Sequence, residues 1–390
     1  MIATESAPAL LADIRRIAAE IAAPHADAVD RDARFPVETI DALKASGALG
    51  ALVPPEFGGP GVPFATIAEA AYELGRACSA SAMVFAMHQI QVATLSRHAV
   101  PGSFFGDYLS GIVRQPRLIA SVTSEIGTGG DLGRSIAAVT IDDEGRLGFE
   151  KKAPTVSYGA VADDLLTTLR RSPDAEPGDQ ILMLTSRDQT TLEPMGGWDP
   201  LGMRGTCSPG FTVRATAPAD QVLAVPFATV AAESMVPVTH LLWSHVWLGL
   251  ATEAFERARS FVRSQARQRP GEMPPTAARL SELMGSLALL RAEIRSELAA
   301  FVAASDGPAR ADLATLARIL QINNLKITAS EHTPRICLGA LEICGIAGYR
   351  NDSPYSIGRL LRDALSGPLM IANDRIHQTN AGLLLVAKDI

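Results

Sequence analysis

The feature that most limits how this chain can fold is a change of hydrophobic period that occurs twice. From Ala7 to about Ile112 the apolar residues recur at three- and four-residue steps, as in Leu10, Ile14, Ile17 and Ile21, and again in Ile67, Ala71 and Leu74. That spacing stacks them on one face of a helix. From about Leu118 to Val225 the chain consists of short β-rich pieces, Leu118–Thr123, Leu165–Leu169, Ile181–Thr185 and Phe211–Ala215, divided by Gly, Pro and Asp turns. From Pro226 onward helical spacing returns in Leu241–Arg267, Thr276–Ser305, Ala309–Gly339 and Tyr355–Asp389, broken at Arg269-Pro270-Gly271 and Asp306-Gly307-Pro308. The order helical, β, helical predicts an α+β protein. Its parts are an N-terminal α-helical domain over 1–115, a central β-barrel-like domain over 116–228 and a C-terminal α-helical bundle over 229–390. A chain of 390 residues is long enough for two or three such units around sizeable cores. It carries no repeat and no low-complexity linker, so the three regions are expected to pack as one body.

Charge and cysteine usage narrow the partners. The 35 Lys+Arg and 42 Asp+Glu leave a net charge of −7 without long runs of either sign, which excludes a surface built to hold nucleic acid or anionic lipid. The segment Met1–Ser6 has no basic n-region or apolar h-region. The longest apolar stretch, Leu241 to Ala251, is interrupted by His245 and is too short to span a bilayer. A cytoplasmic protein with no membrane partner is expected. Cys78, Cys207, Cys337 and Cys344 show no CxxC spacing, so reduced core thiols are expected rather than a zinc site or disulfides.

Four motifs then occur in order. Phe35-Pro36 runs through Gly47-Ala48-Leu49-Gly50 to Pro54-Pro55-Glu56-Phe57-Gly58-Gly59. Ser124-Glu125-Ile126-Gly127-Thr128-Gly129-Gly130-Asp131 follows, then Glu342-Ile343-Cys344-Gly345-Ile346-Ala347-Gly348-Tyr349, then Arg362-Asp363-Ala364. Together they resemble the signatures of the acyl-CoA dehydrogenase superfamily of flavoproteins, from about residue 10 to the end. The resemblance implies the family fold, an FAD cofactor and a homodimer or homotetramer with part of the FAD site between subunits. It also implies an acyl-CoA or acyl-carrier-protein substrate, and an electron-transferring flavoprotein or flavin reductase as redox partner.

In the family the 124–131 segment is a flavin loop. Ser124 and Gly130 stand where the family has its flavin-contacting Thr and Ser; the first keeps a hydroxyl and the second leaves only a backbone amide. The resemblance also puts Gly129, Gly345 and Asn373 against the cofactor. The next flavin motif falls on Lys152-Ala153-Pro154-Thr155-Val156-Ser157-Tyr158-Gly159, where the shielding tryptophan is missing. Thr155 or Ser157 is left to supply a hydroxyl and Tyr158 to shield the ring. Arg204, in a segment resembling another flavin-proximal element, is either structural or catalytic. Arg267 and Arg269 are the candidates for the pyrophosphate, because a guanidinium donates two hydrogen bonds to phosphate oxygens. Glu342 replaces the family's Gln there, and a carboxylate repels a pyrophosphate.

The usual proton-abstracting glutamate is missing. Counting nine residues from Arg362 lands on Ile371, and the other position used in the family matches Thr239 and His240. Three readings follow. The first is a dehydrogenase that oxidises an acyl thioester, with Asp374 or His240 as base. The second is a flavin-dependent monooxygenase on the same fold, which needs no α-proton base and lines its pocket with histidines such as His88, His240 and His245. The third is a non-catalytic subunit, since fold does not fix function. α,β-Dehydrogenation is the expectation carried forward.

Overall fold

Prolines and hydroxyls set the helix starts. Pro36, Pro63 and Pro226 each stand immediately before a helix, and Ser103 and Thr315 accept from the backbone N–H three residues on. The structure is a computed structural model that describes residues 2–305 and 312–387. Its N-terminal part contains α1 (Ile2–Ile17), which runs through one π-turn into α2 (Ala23–Arg31), then α3 (Val37–Ala45), α4 (Phe64–Ala77), α5 (Ser79–His98) and α6 (Phe104–Arg114). The α5 sequence spreads its polar residues around the helix without gathering them on one face, and most of the helix is buried.

Seven strands follow: β1 (Ile119–Val122), β2 (Thr140–Ile141), β3 (Leu147–Ala153), β4 (Asp164–Arg170), β5 (Gln180–Ser186), β6 (Thr190–Pro194) and β7 (Phe211–Ala217). They form a three-stranded sheet, β1-β4-β5, and a four-stranded antiparallel sheet, β2-β3-β7-β6. In the first, β1 lies parallel to β4 with Ile119 opposite Asp164. Alternate residues Phe149, Ala153, Val213 and Ala215 of one sheet meet Val122, Leu165, Leu169 and Met183 of the other in a separate core. β3 alternates in burial but turns the polar Lys151 inward, and β2 and β6 are short and largely exposed, so none of the three has a strong period-2 signal in sequence.

The C-terminal part contains α7 (Phe227–Val230), α8 (Val236–Gln268), α9 (Ala277–Ser305), α10 (Leu316–Cys344), α11 (Ile346–Tyr349), α12 (Gly358–Ala364) and α13 (Asn373–Leu384). The expected helix Tyr355–Asp389 is two helices with a turn between them. Gly367-Pro368 breaks it, since proline has no N–H to donate and disfavours helical backbone in the residue before it. The expected break at 306–308, the start at Ala309 and the end at Asp389 lie outside the described residues. No helix among the described residues is long and apolar enough to cross a membrane.

The helices of both ends share one apolar core. Its tightest crossing is α4 on α8. A methyl group at Gly249 would stand 2.3 Å from the Tyr72 carbonyl oxygen, and one at Gly75 2.6 Å from that of Val246. Backbone cannot yield there as a side chain would. Gly249→Ala is therefore expected to lower the unfolding free energy by about 2 kcal/mol, read as a lower midpoint in urea. An unchanged midpoint would show that the two helices are free to separate.

Candidate functional site

Glu125 shapes the loop that the resemblance assigns to flavin. Its buried carboxylate accepts from Ser135 Oγ at 2.7 Å, Ile136 N at 3.1 Å and Ala137 N at 2.6 Å, with Lys151 Nζ at 3.6 Å. Burial draws the Lys151 pKa down to about 8, against the pull of Glu125. The loop between, 126–134, is thereby closed on itself and lifted to the surface. Gly127, Gly129 and Gly130 all have positive φ there, at 95°, 61° and 82°, backbone that side chains rarely adopt.

Ser124 and Thr155 meet at the root of this loop. Ser124 Oγ donates to the Thr155 carbonyl at 2.6 Å and accepts from Thr155 N at 3.4 Å. Ser157 accepts from Ser208 Oγ at 2.9 Å, which in turn lies 2.9 Å from Thr206 Oγ1. Among the described residues, four of the five non-glycine residues with positive φ, Ala33, Tyr158, Met203 and Cys207, gather behind this row of hydroxyls. Tyr158 N donates to Thr206 O at 2.8 Å, and Cys207 Sγ lies 3.6 Å from Ala33 O. Strained backbone of this kind collects at functional sites. The Tyr158 ring is buried and its hydroxyl donates to Ile119 O at 2.9 Å, so it is a core residue and not a shield for a flavin ring. Arg204 is structural too, holding Asp30 O, Pro200 O and Asp199.

The turn 366–373 forms the second side of the site. Lys326, fully buried on α10, donates to Ile371 O at 2.7 Å, Asn373 Oδ1 at 2.7 Å and Gly367 O at 3.2 Å. Its ammonium also lies 5.9 Å from the centre of the Trp247 ring. Burial brings the Lys326 pKa down to about 7, with Glu331 opposing. Asn373 further donates to Ser330 Oγ at 3.1 Å and Glu331 Oε1 at 3.3 Å. The clamp holds Ile371 at φ 52°, a conformation that a β-branched side chain normally refuses.

Arg375 joins the two sides. A methyl group at Gly129 would stand 2.8 Å from its Nη2, and one at Gly130 3.6 Å from its Nε. The flavin loop and the turn therefore converge across this guanidinium. Sequence reasoning missed Arg375 and Lys326. The signal available was a loop lacking its usual serine at Gly130 and a new cation shortly after the empty base position.

The two candidate bases, Asp374 and His240, are not brought together, and His88, His240 and His245, expected to line a monooxygenase pocket, are instead buried and bonded to backbone. His88 is inaccessible, donating from Nε2 to Leu49 O at 2.9 Å and accepting at Nδ1 from Ile119 N at 3.1 Å. Its two ring nitrogens tie α5 to the 48–50 turn and to β1, which makes it a structural residue. His240 is buried with Nδ1 donating to Ile322 O at 3.1 Å, and His245 donates to Leu241 O at 2.7 Å. Burial lowers the pKa of each of the three to about 4. Asp374 is exposed in the first turn of α13. Arg267, Arg269 and Glu342 are exposed at helix ends, as is Gly345, which carries a φ of 56°. Among the described residues none of these four has a hydrogen bond or ion pair to the flavin loop.

A flavin fits these residues. Ser124, Thr155 and Ser157 supply hydroxyls, glycines allow close approach where a methyl group would collide, and Arg375 has no hydrogen-bond or ion-pair partner among the described residues. No cluster of metal-binding side chains occurs among them, and the four cysteines are free.

Comparison with known proteins agrees with this architecture. Residues 4–101 match the acyl-CoA dehydrogenase N-terminal domain and residues 231–376 the acyl-CoA dehydrogenase C-terminal domain. The chain belongs to the acyl-CoA dehydrogenase superfamily, whose members are flavin enzymes. It is 24% identical over 356 residues to amino sugar nitrososynthase DnmZ of Streptomyces peucetius, covering 87% of this chain and 84% of that one. It is 25% identical over 347 residues to dibenzothiophene monooxygenase of Rhodococcus qingshengii, covering 83% and 81%. The structure of KijD3 in complex with FMN and dTDP-3-amino-2,3,6-trideoxy-4-keto-3-methyl-D-glucose superposes with a TM-score of 0.81 at 25% identity, covering 100% of this chain and 95% of that one.

Proposed function

We propose that this protein is a flavin-dependent monooxygenase that takes reduced flavin from a separate reductase and oxygenates a nucleophilic heteroatom of a small substrate. One observation carries the reading: the turn that holds the family's base presents Ile371 instead, fixed in a left-handed conformation. Dehydrogenation of an acyl thioester requires a base at the α-carbon. Of the two residues offered for that task, His240 is buried with its Nδ1 on Ile322 O, and Asp374 is on the exposed side of α13. Oxygenation needs none. One oxygen atom of O2 enters the substrate, the other leaves as water, and reduced flavin supplies the two electrons and two protons. Within this reading Ser124, Thr155 and Ser157 orient the flavin, and Gly129, Gly130 and Asn373 shape its seat. The names of the nitrososynthase and monooxygenase relatives support the reaction class, and the FMN in the KijD3 structure supports FMN over FAD as cofactor.

Glu342 and Gly345 adjoin Ile346 and Tyr349, which are 75% and 72% exposed. Such an apolar face suits a second copy of the chain, so we place Arg267, Arg269, Glu342 and Gly345 at a subunit contact. The test is anaerobic mixing of the FMN-loaded protein with acyl-CoA thioesters of several lengths. The visible flavin band should persist. Chemically reduced FMN, admitted with O2 and an organic sulfide or primary amine, should then yield oxygenated product. Bleaching by a thioester without O2 would overturn the proposal in favour of dehydrogenation.

A further inference from the structure

Arg375 spans the two halves of the site, and no hydrogen bond or ion pair among the described residues engages its charge. It lies half-buried on the first turn of α13 with its guanidinium against Gly129 and Gly130. The loop beneath has an unusual surplus of donors. The N–H groups of Gly127, Thr128, Gly129 and Gly130 have no acceptor among the described residues, whereas Ile126 N and Asp131 N, on either side, donate to Lys152 O and Thr128 O. The neighbouring carboxylate, Asp131, is turned into the loop, its Oδ1 accepting from Gly133 N at 2.9 Å. Four free backbone donors under a free guanidinium match a group with several anionic oxygens. A phosphate monoester fits best, because the guanidinium fork meets two of its oxygens while backbone N–H groups meet the others. The φ of 82° at Gly130 also accounts for the serine missing there, since a side chain rarely adopts that backbone.

We propose that Arg375 and the free N–H groups of residues 127–130 seat the terminal phosphate of FMN, so that Arg375 selects phosphorylated flavin over riboflavin. The inference rests on the flavin-binding part of the proposed function and not on the reaction. Dissociation constants of FMN and riboflavin are measured by quenching of flavin fluorescence on wild-type protein, R375Q and R375K. R375Q is expected to weaken FMN by about 30-fold and to leave riboflavin within about twofold of wild type, while R375K recovers most of the FMN affinity. Inorganic phosphate should compete with FMN on the wild type and not on R375Q. Unfolding midpoints, expected to be equal because Arg375 has no hydrogen bond or ion pair among the described residues, guard against a folding artefact. Equal FMN affinity in wild type and R375Q would overturn this inference alone. Parallel loss of FMN and riboflavin would also overturn it, by showing a steric role. A wild type that binds no flavin would overturn it together with the proposed function.

Discussion

Acidification from pH 7 to pH 4 should strip this protein of most of its folding stability, with the steepest loss between about 6.5 and 4. His88, His240 and His245 are buried and neutral, each with its pKa lowered to about 4 by burial. In the unfolded chain the same imidazoles take protons near 6.5. Between those limits the unfolded state binds more protons than the folded one, so stability rises with pH and falls as acid is added. Each group contributes up to about 3 kcal/mol to the loss, and three together rival the total stability of about 5–15 kcal/mol typical of a folded domain. Urea midpoints at pH 7, 5.5 and 4.5 would measure it. His88→Gln provides the control, because an amide can still donate to Leu49 O and accept from Ile119 N without titrating. That variant should lose about a third of the pH slope. A midpoint that stays level from pH 7 to pH 5, or an unaltered slope in His88→Gln, would mean that water reaches these rings.

The histidines also show where sequence reasoning stops. Their titrating range marked them as catalytic candidates, but reactivity depends on what surrounds a ring, and periodicity does not reveal that a helix is buried on every side. The α5 stretch Ser79–His98 lacks a polar face, a signal that His88 would be enclosed. The fold itself was largely legible because the change between helical and β spacing is long-range and redundant: each region repeats its period many times. Strands β2 and β6 were missed because they are short and largely exposed, and β3 because its inward face includes the polar Lys151. The missing base was legible by counting from Arg362, and the structure supplied a reason why the turn keeps its shape without it. Lys326 lies 45 residues from Ile371 in sequence, so no local pattern announces that its ammonium holds three acceptors of the turn. Arg375 was hidden in the same way. Its meaning arises only when α13 folds across a loop roughly 245 residues earlier, a separation over which the sequence alone carries no pairing rule.

Replacing Asp363 by alanine should be the most damaging single substitution in the chain, although the resemblance presents the Arg362-Asp363 pair as a prelude to chemistry. Asp363 is buried on α12 and accepts from Ser79 Oγ of α5 and from Met203 N at 2.6 Å. Burial raises its pKa, and the nearby Arg359 guanidinium opposes that rise. Beside it, Arg362 forms a two-pronged pair with Asp30 on α2 and donates to Leu201 O at 3.0 Å. Gly202 packs against the same backbone so closely that a methyl group would stand 2.1 Å from Arg362 O. N-terminal helices, the β region and the C-terminal helices therefore meet at these two residues. Asp363→Ala would strand the Ser79 hydroxyl and the Met203 N–H and take a carboxylate away from Arg359, which keeps its ion pair with Asp27, a loss of about 2–4 kcal/mol. Asp363→Asn keeps an acceptor for Met203 N–H and should lose about 1–2 kcal/mol. The turn 366–373 begins two residues after α12 ends, so flavin affinity should fall in Asp363→Ala along with stability, while Asp363→Asn keeps the flavin affinity at its smaller loss of stability. Urea unfolding paired with FMN titration separates the cases. A folded Asp363→Ala protein with a wild-type midpoint would show that the three regions cohere through the apolar core alone, leaving the pair free for a role in the reaction.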